Sequence, residues 1–156
     1  MSSTKPGRTL ETSLYAAVKA HLERLGYEAK GEVCGCDIVA VRPGEPPFLV
    51  ITELKLGLTL ELILQGVDRL AAADEVWLAV RATRRGRDRD GRAHKLCRLL
   101  GFGLLAVDPA RRLVEVLAEP GPTGRGQTPS AGLSCSANTS AGAAIRPSEA
   151  RRGSPS

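Results

Sequence analysis

Leu14, Val18, Leu22 and Leu25 recur at steps of four, four and three, the spacing of one helix face, and predict a helix over Leu10–Leu25. Thr9 stands where an N-cap belongs and Gly26 where a left-handed stop belongs. Residues 27–33 alternate weakly and predict a short strand. Cys36–Arg42 and Phe48–Lys55 are stronger strands, joined by the turn-forming run Pro43-Gly44-Glu45-Pro46-Pro47. Thr59–Ala73 has the period of a second helix, with Leu60, Ile63, Leu64, Val67 and Leu70 or Ala71 on one face. Glu75–Val80 is an apolar strand expected to be buried on both sides. A third helix over Ala93–Leu100 stops at Gly101, and strands Leu104–Val107 and Leu113–Leu117 flank an Asp108-Pro109 turn. The order is α-β-β-β-α-β-α-β-β. A meander followed by a β-α-β crossover gives a mixed sheet flanked by helices, an α/β class.

Three acidic residues interrupt this pattern. Glu11 shares the phase of Leu14, Val18 and Leu22, Asp37 opens an apolar strand, and Glu53 nearly closes the next. A carboxylate facing a core costs several kcal/mol unless it is paired or bound to metal. Glu11 is the mildest case, since a helix N-terminus favours negative charge. A symmetric loop centred on Glu45 sets Arg42 opposite Phe48, Ala40 opposite Val50 and Asp37 opposite Glu53. Directly opposed Cβ atoms lie about 4.5–5.5 Å apart, where like charges repel. Lys55 falls on the same strand face as Glu53. A divalent cation between the two acids would resolve the conflict, and hard oxygen ligands favour Mg²⁺ or Mn²⁺. The plainer alternative makes Asp37 and Glu53 strand-end residues reaching solvent, with Lys55 as their salt-bridge partner. A zinc set from Cys34, Cys36, His94 and Cys97 can also be drawn, but Cys-x-Cys on a strand is a weak ligand pair; buried structural thiols are the simpler account.

Charge sharpens the picture. The chain has 156 residues and a net charge of +5, yet residues 81–98 alone hold eight basic and two acidic side chains. Arg84, Arg85, Arg87, Arg89 and Arg92 are the candidate contacts of a polyanion, and a solvated Arg-rich loop is the competing account. No apolar run is long enough to span a membrane and no signal-peptide core is present, so a cytoplasmic protein with no membrane partner is expected. From Glu119 to Ser156 the chain carries six Gly, five Pro and seven Ser, with Leu133 and Ile145 its only large aliphatics. Such a segment cannot offset the ordering entropy of roughly 1–2 kcal/mol per residue and is expected to be disordered.

The order of Glu11, Asp37 and Glu53-Leu54-Lys55, followed by a helix and a strand, resembles the PD-(D/E)XK nuclease superfamily. Residues 30–40, Glu53-Leu54-Lys55, Gln65 and residues 73–80 are similar to a bacterial family described as PD-(D/E)XK phosphodiesterases, over about residues 9–118. Cys36 stands where the motif's name has proline. The resemblance implies a restriction-endonuclease-like α-β-β-β-α-β core. It makes Asp37 and Glu53 ligands of Mg²⁺ or Mn²⁺, with Glu11 holding the metal through water. Lys55 would orient water or stabilise the phosphate, and Gln65 would be an accessory residue. The implied activity is phosphodiester hydrolysis in nucleic acid, DNA ahead of RNA, by a chain that could form a homodimer. A catalytically silent nucleic-acid-binding module of the same fold is the alternative.

Overall fold

A computed structural model describes residues 6–121, with the backbone alone over residues 6–11. The elements are α1 (Pro6–Arg24), β1 (Glu28–Val33), β2 (Cys36–Arg42), β3 (Phe48–Lys55), α2 (Leu60–Arg69), β4 (Glu75–Arg81), α3 (Gly91–Leu100), β5 (Gly103–Asp108) and β6 (Leu113–Ala118). A 3₁₀ turn, Arg87–Arg89, precedes α3. The six strands lie side by side in chain order. Hairpin neighbours β1/β2, β2/β3 and β5/β6 are antiparallel, while β3/β4 and β4/β5 are parallel. Parallel neighbours need a crossover, and α2 and α3 supply the two. The chain is therefore an α/β protein with a mixed sheet. Beyond Gly121 the segment expected to be disordered lies outside the described residues. Among the described residues, no helix is long and apolar enough to cross a membrane.

Each sheet face carries its own core. Leu14, Ala17, Val18 and Leu22 of α1 cover Ile38, Ala40, Val50, Trp77, Ala79, Leu105 and Val107. On the other face Leu62, Cys97 and Phe102 pack with Val76, Leu78, Val80 and Leu104. β4 is buried on both faces, as its unbroken apolar run predicts.

Two expected helix ends move by four residues and one helix face changes, while the other ends shift by no more than two residues. The first helix starts at Pro6, which puts Thr9 inside it rather than at its cap. Proline suits a first turn, where its missing N–H has no intrahelical partner to lose. The second helix starts at Leu60, with Thr59 as its cap through Leu62 N–H at 3.2 Å, and ends at Arg69 rather than Ala73. Its last turn tightens into three-residue bonds, Leu70 N–H to Val67 O and Ala72 N–H to Arg69 O. The buried positions of α2 are Leu62 and Gly66, while Leu60, Leu64 and Val67 are exposed at 68%, 54% and 41%. Apolar residues almost all round the helix left its phase ambiguous; contact with the sheet settles it. A Cβ at Gly66 would come within 3.0 Å of Leu78 and Phe102, so the glycine seats α2 close to the sheet.

A second close approach is sharper. Gly103 pairs with Trp77, and a Cβ there would lie 2.2 Å from the indole ring. Gly103→Ala should destabilise the fold by about 1–3 kcal/mol through overpacking against a rigid, buried ring. Urea unfolding followed by Trp77 fluorescence measures it, and an unchanged midpoint would refute the close packing.

Candidate functional site

The β2/β3 ladder pairs Arg42 with Phe48, Ala40 with Val50 and Ile38 with Thr52. This is the register of a loop centred on Glu45, and its next step sets Asp37 opposite Glu53. Arg42 also stacks over the Phe48 and Tyr27 rings, 5.1 and 5.4 Å from their centroids. Ile38, Ala40, Val50 and Leu54 lie under α1. Strand alternation therefore turns Asp37, Glu53 and Lys55 to the other face, the side of α2. Asp37 is near the start of β2 and Glu53 near the end of β3. Because the strands are antiparallel, the two acids share one end of the sheet.

Glu53 is only 2% exposed. Its Oε1 accepts from Arg69 Nε at 2.6 Å, and Arg69 Nη2 donates to the Gly35 carbonyl at 2.7 Å. Gly35 belongs to the two-residue β1–β2 turn, whose residues Cys34 and Gly35 have φ of 53° and 75°. Both positive angles are those of a type I′ hairpin turn. One guanidinium thus ties α2, the end of β3 and this turn together. Asp37 Oδ2 accepts the Leu54 N–H at 2.7 Å, across the strand pair. Burial pushes the Glu53 carboxyl above its ordinary value; Arg69 opposes that shift, and the Asp37 carboxylate raises it further. The net direction is upward, with burial as the leading cause.

Lys55 shares their face but contacts Glu61 at 3.8 Å. It is not the partner of Asp37 or Glu53 that the salt-bridge account requires, and a buried Glu53 is not a strand-end acid reaching solvent. The cation beside Glu53 comes from α2, where Arg69 lies seven residues after Leu62 and three after Gly66. Arg69 was missed because the apolar residues suggested another helical phase. A basic residue on the Leu62–Gly66 stripe was the available signal. Glu11 belongs to α1, which packs on the sheet face opposite the acids, and its side chain lies outside the described residues. Gln65 sits one turn before Arg69, with its Oε1 buried and lacking a hydrogen-bond partner.

The arginine cluster divides. Arg89 makes a bidentate pair with Glu115, at 3.1 and 2.9 Å, and Arg92 lies 3.5 Å from Asp90. Arg84, Arg85 and Arg87 are exposed, and among the described residues no carboxylate is within ion-pair distance of them. Arg87, with Arg81, lines an open cavity of about 280 Å³ alongside Gly57, Leu58, Thr59, Thr83, Gly86 and Asp88. The drawn zinc set does not gather. The His94 ring bonds the Asp88 carbonyl, Cys97 lies in the core with Phe102, and Cys36 is a buried thiol on β2. Among the described residues, no group of three or more His, Cys, Asp or Glu could hold a metal.

A smaller donor set suits a hard cation. Asp37 and Glu53 offer only oxygens, and each has a carboxylate oxygen beyond the bond just described. Mg²⁺ is commonly held by one or two carboxylates with water completing the shell. The residues present fit that cation.

Fold and site together define an α/β protein with a carboxylate pair, Glu53 buried and Asp37 half-buried, at the sheet end from which an arginine-rich loop departs. A scan against protein-family models and a search of curated proteins found no match.

Proposed function

We propose that this chain is a metal-dependent phosphodiesterase acting on nucleic acid, with the restriction-endonuclease-like arrangement of the PD-(D/E)XK superfamily. The observation that carries the reading is Asp37 lying beside Glu53 across β2 and β3, its Oδ2 on the Leu54 N–H, at the end where β4 runs into the basic loop. Asp37 and Glu53 would hold Mg²⁺ or Mn²⁺. When bound, such a cation supplies Lewis-acid activation of water and charge neutralisation at the phosphate. Arg69 keeps Glu53 aimed from α2, and the Leu54 N–H keeps Asp37 aimed from β3. Lys55 can exchange its long, exposed contact with Glu61 for a phosphate oxygen. Arg84, Arg85 and Arg87 have charge to spare for backbone phosphates, which position a strand without reading its sequence.

Purified protein should cleave plasmid or oligonucleotide DNA, or RNA, with Mg²⁺ or Mn²⁺ and not with EDTA, and Glu53→Gln should remove the activity. Absence of cleavage on every substrate form with either metal would refute an enzyme. One observation favours the silent-module alternative: Arg69 already places a positive group on Glu53 Oε1. That alternative expects salt-dependent binding of nucleic acid, unchanged by Asp37→Ala, with no turnover.

A further inference from the structure

The cavity of about 280 Å³ lies beyond the C-terminal ends of β3 and β4. Lys55 pairs with Val80 at the last step of that parallel ladder. Leu56 and Gly57 continue one strand and Arg81 the other, so the cavity starts a residue or two past Lys55. Ligands of open parallel sheets bind in the crevice outside the carboxyl ends of the strands. This one is bounded by the start of α2, a ten-residue helix capped by Thr59, and by the basic loop.

Its charge suits an anion. Arg81 and Arg87 line it, are both exposed, and among the described residues have no carboxylate within ion-pair distance. Asp88 also lines it but is already engaged: the Thr83 N–H reaches it at 2.9 Å, the Thr83 hydroxyl bonds it, and Arg89 lies 3.5 Å away. The Gly86 N–H donates to the Thr83 hydroxyl oxygen at 2.7 Å, so the loop wall is held in place without consuming Arg81 or Arg87. The Thr59 hydroxyl accepts from Leu62 and keeps its own proton for a further acceptor.

We infer that this cavity is a phosphate subsite in which Arg81 and Arg87 hold a backbone phosphodiester next to the one at Asp37 and Glu53. The inference deepens the phosphodiesterase reading and rests on it for the nature of the ligand. It moves the grip on the substrate away from Arg89 and Arg92, which are spent on Glu115 and Asp90, and adds Arg81, which lies at the end of β4 rather than in the loop.

The test is binding of a labelled DNA duplex by anisotropy in EDTA, where no cleavage occurs, from 50 to 200 mM salt. Arg81→Gln with Arg87→Gln should weaken binding about tenfold or more and flatten the log–log salt slope by about 0.9 for one lost phosphate contact. The paired control Arg84→Gln with Arg85→Gln removes the same charge from the loop tip and should cost clearly less. All four side chains are exposed, so folding is not at issue. Wild-type affinity and slope in the first variant would overturn the subsite, as would an equal loss in the control, which would mean diffuse attraction. Cleavage assays separate the two ideas. Unimpaired cleavage by the Arg81/Arg87 variant overturns the subsite and leaves the enzyme. Binding lost in that variant, with no metal-dependent cleavage by wild type, supports the subsite and removes the enzyme.

Discussion

Metal-dependent hydrolysis by an Asp37→Asn chain should fall by about 10²–10³-fold or more, with the fold nearly intact. The amide oxygen of asparagine can still accept the Leu54 N–H that Asp37 Oδ2 now takes at 2.7 Å, so the β2–β3 pairing keeps its extra bond. What the substitution removes is one of two negative charges that would hold the cation. Losing one preorganised electrostatic group in an active site typically costs that much in rate. Asp37→Ala should lose activity equally but also leave the Leu54 N–H without its partner, at a cost of about 1–3 kcal/mol. Initial rates with Mg²⁺ and Mn²⁺, beside urea unfolding of both variants, separate the two effects. Asparagine at position 37 with activity within a few-fold of wild type would mean that Asp37 holds no metal. Loss of activity in step with loss of stability would reduce its role to the hydrogen bond.

Arg69→Ala should be the most damaging single change away from the apolar core, destabilising the protein by about 3 kcal/mol at pH 7. Removing one partner of a buried pair leaves the other charge uncompensated, with typical losses of 3–5 kcal/mol. The lower end applies because the Arg69 side chain is 26% exposed, whereas that of Glu53 is 3% exposed. The loss must depend on pH in a definite direction. Glu53 already has a raised pKa from burial, and Arg69 is what holds it down; without the arginine it rises further. A carboxyl raised in the folded state penalises folding only where it is ionised, so stability is full below its unfolded value near 4.3 and is lost as pH climbs through the folded one. The gap between wild type and Arg69→Ala should therefore be widest at neutral pH and close toward pH 4. Adding Glu53→Gln to Arg69→Ala should recover much of the loss at pH 7. Chemical unfolding of the four chains of this double-mutant cycle at pH 4.5 and 7 measures the coupling. A gap independent of pH, or no recovery in the double variant, would mean that Arg69 matters for packing over α2 and the Gly35 turn rather than for charge.

Most of the architecture was legible along the chain because strands and helices leave periodic traces. β2 and β3 have the bounds read from their composition, and their register followed from counting outward from Glu45. A symmetric turn leaves one pairing in which Asp37 meets Glu53, so that half of the candidate site is legible in the chain itself. The acidic positions could be singled out because each breaks an apolar alternation. The apolar run Glu75–Val80 likewise foretold a strand buried on both faces, because a chain segment with no polar side must be covered on both sides.

Other features were decided only in three dimensions. The rotation of α2 was not readable, because Leu60, Leu62, Ile63, Leu64 and Val67 leave several faces apolar. Close contact of Gly66 with Leu78 and Phe102 selects one of them, and that rotation brings Arg69 onto Glu53 while leaving Lys55 to Glu61. Which arginines remain available was equally hidden, since Arg89 meets a glutamate 26 residues away on β6. Sequence alone determined the strands, their order and the meeting of two carboxylates, all set by local periodicity and turn symmetry. Tertiary structure decided the partners of those carboxylates and of the arginines, because ion pairing depends on which side chains packing brings within about 4 Å, and that distance has no trace in the spacing along a chain.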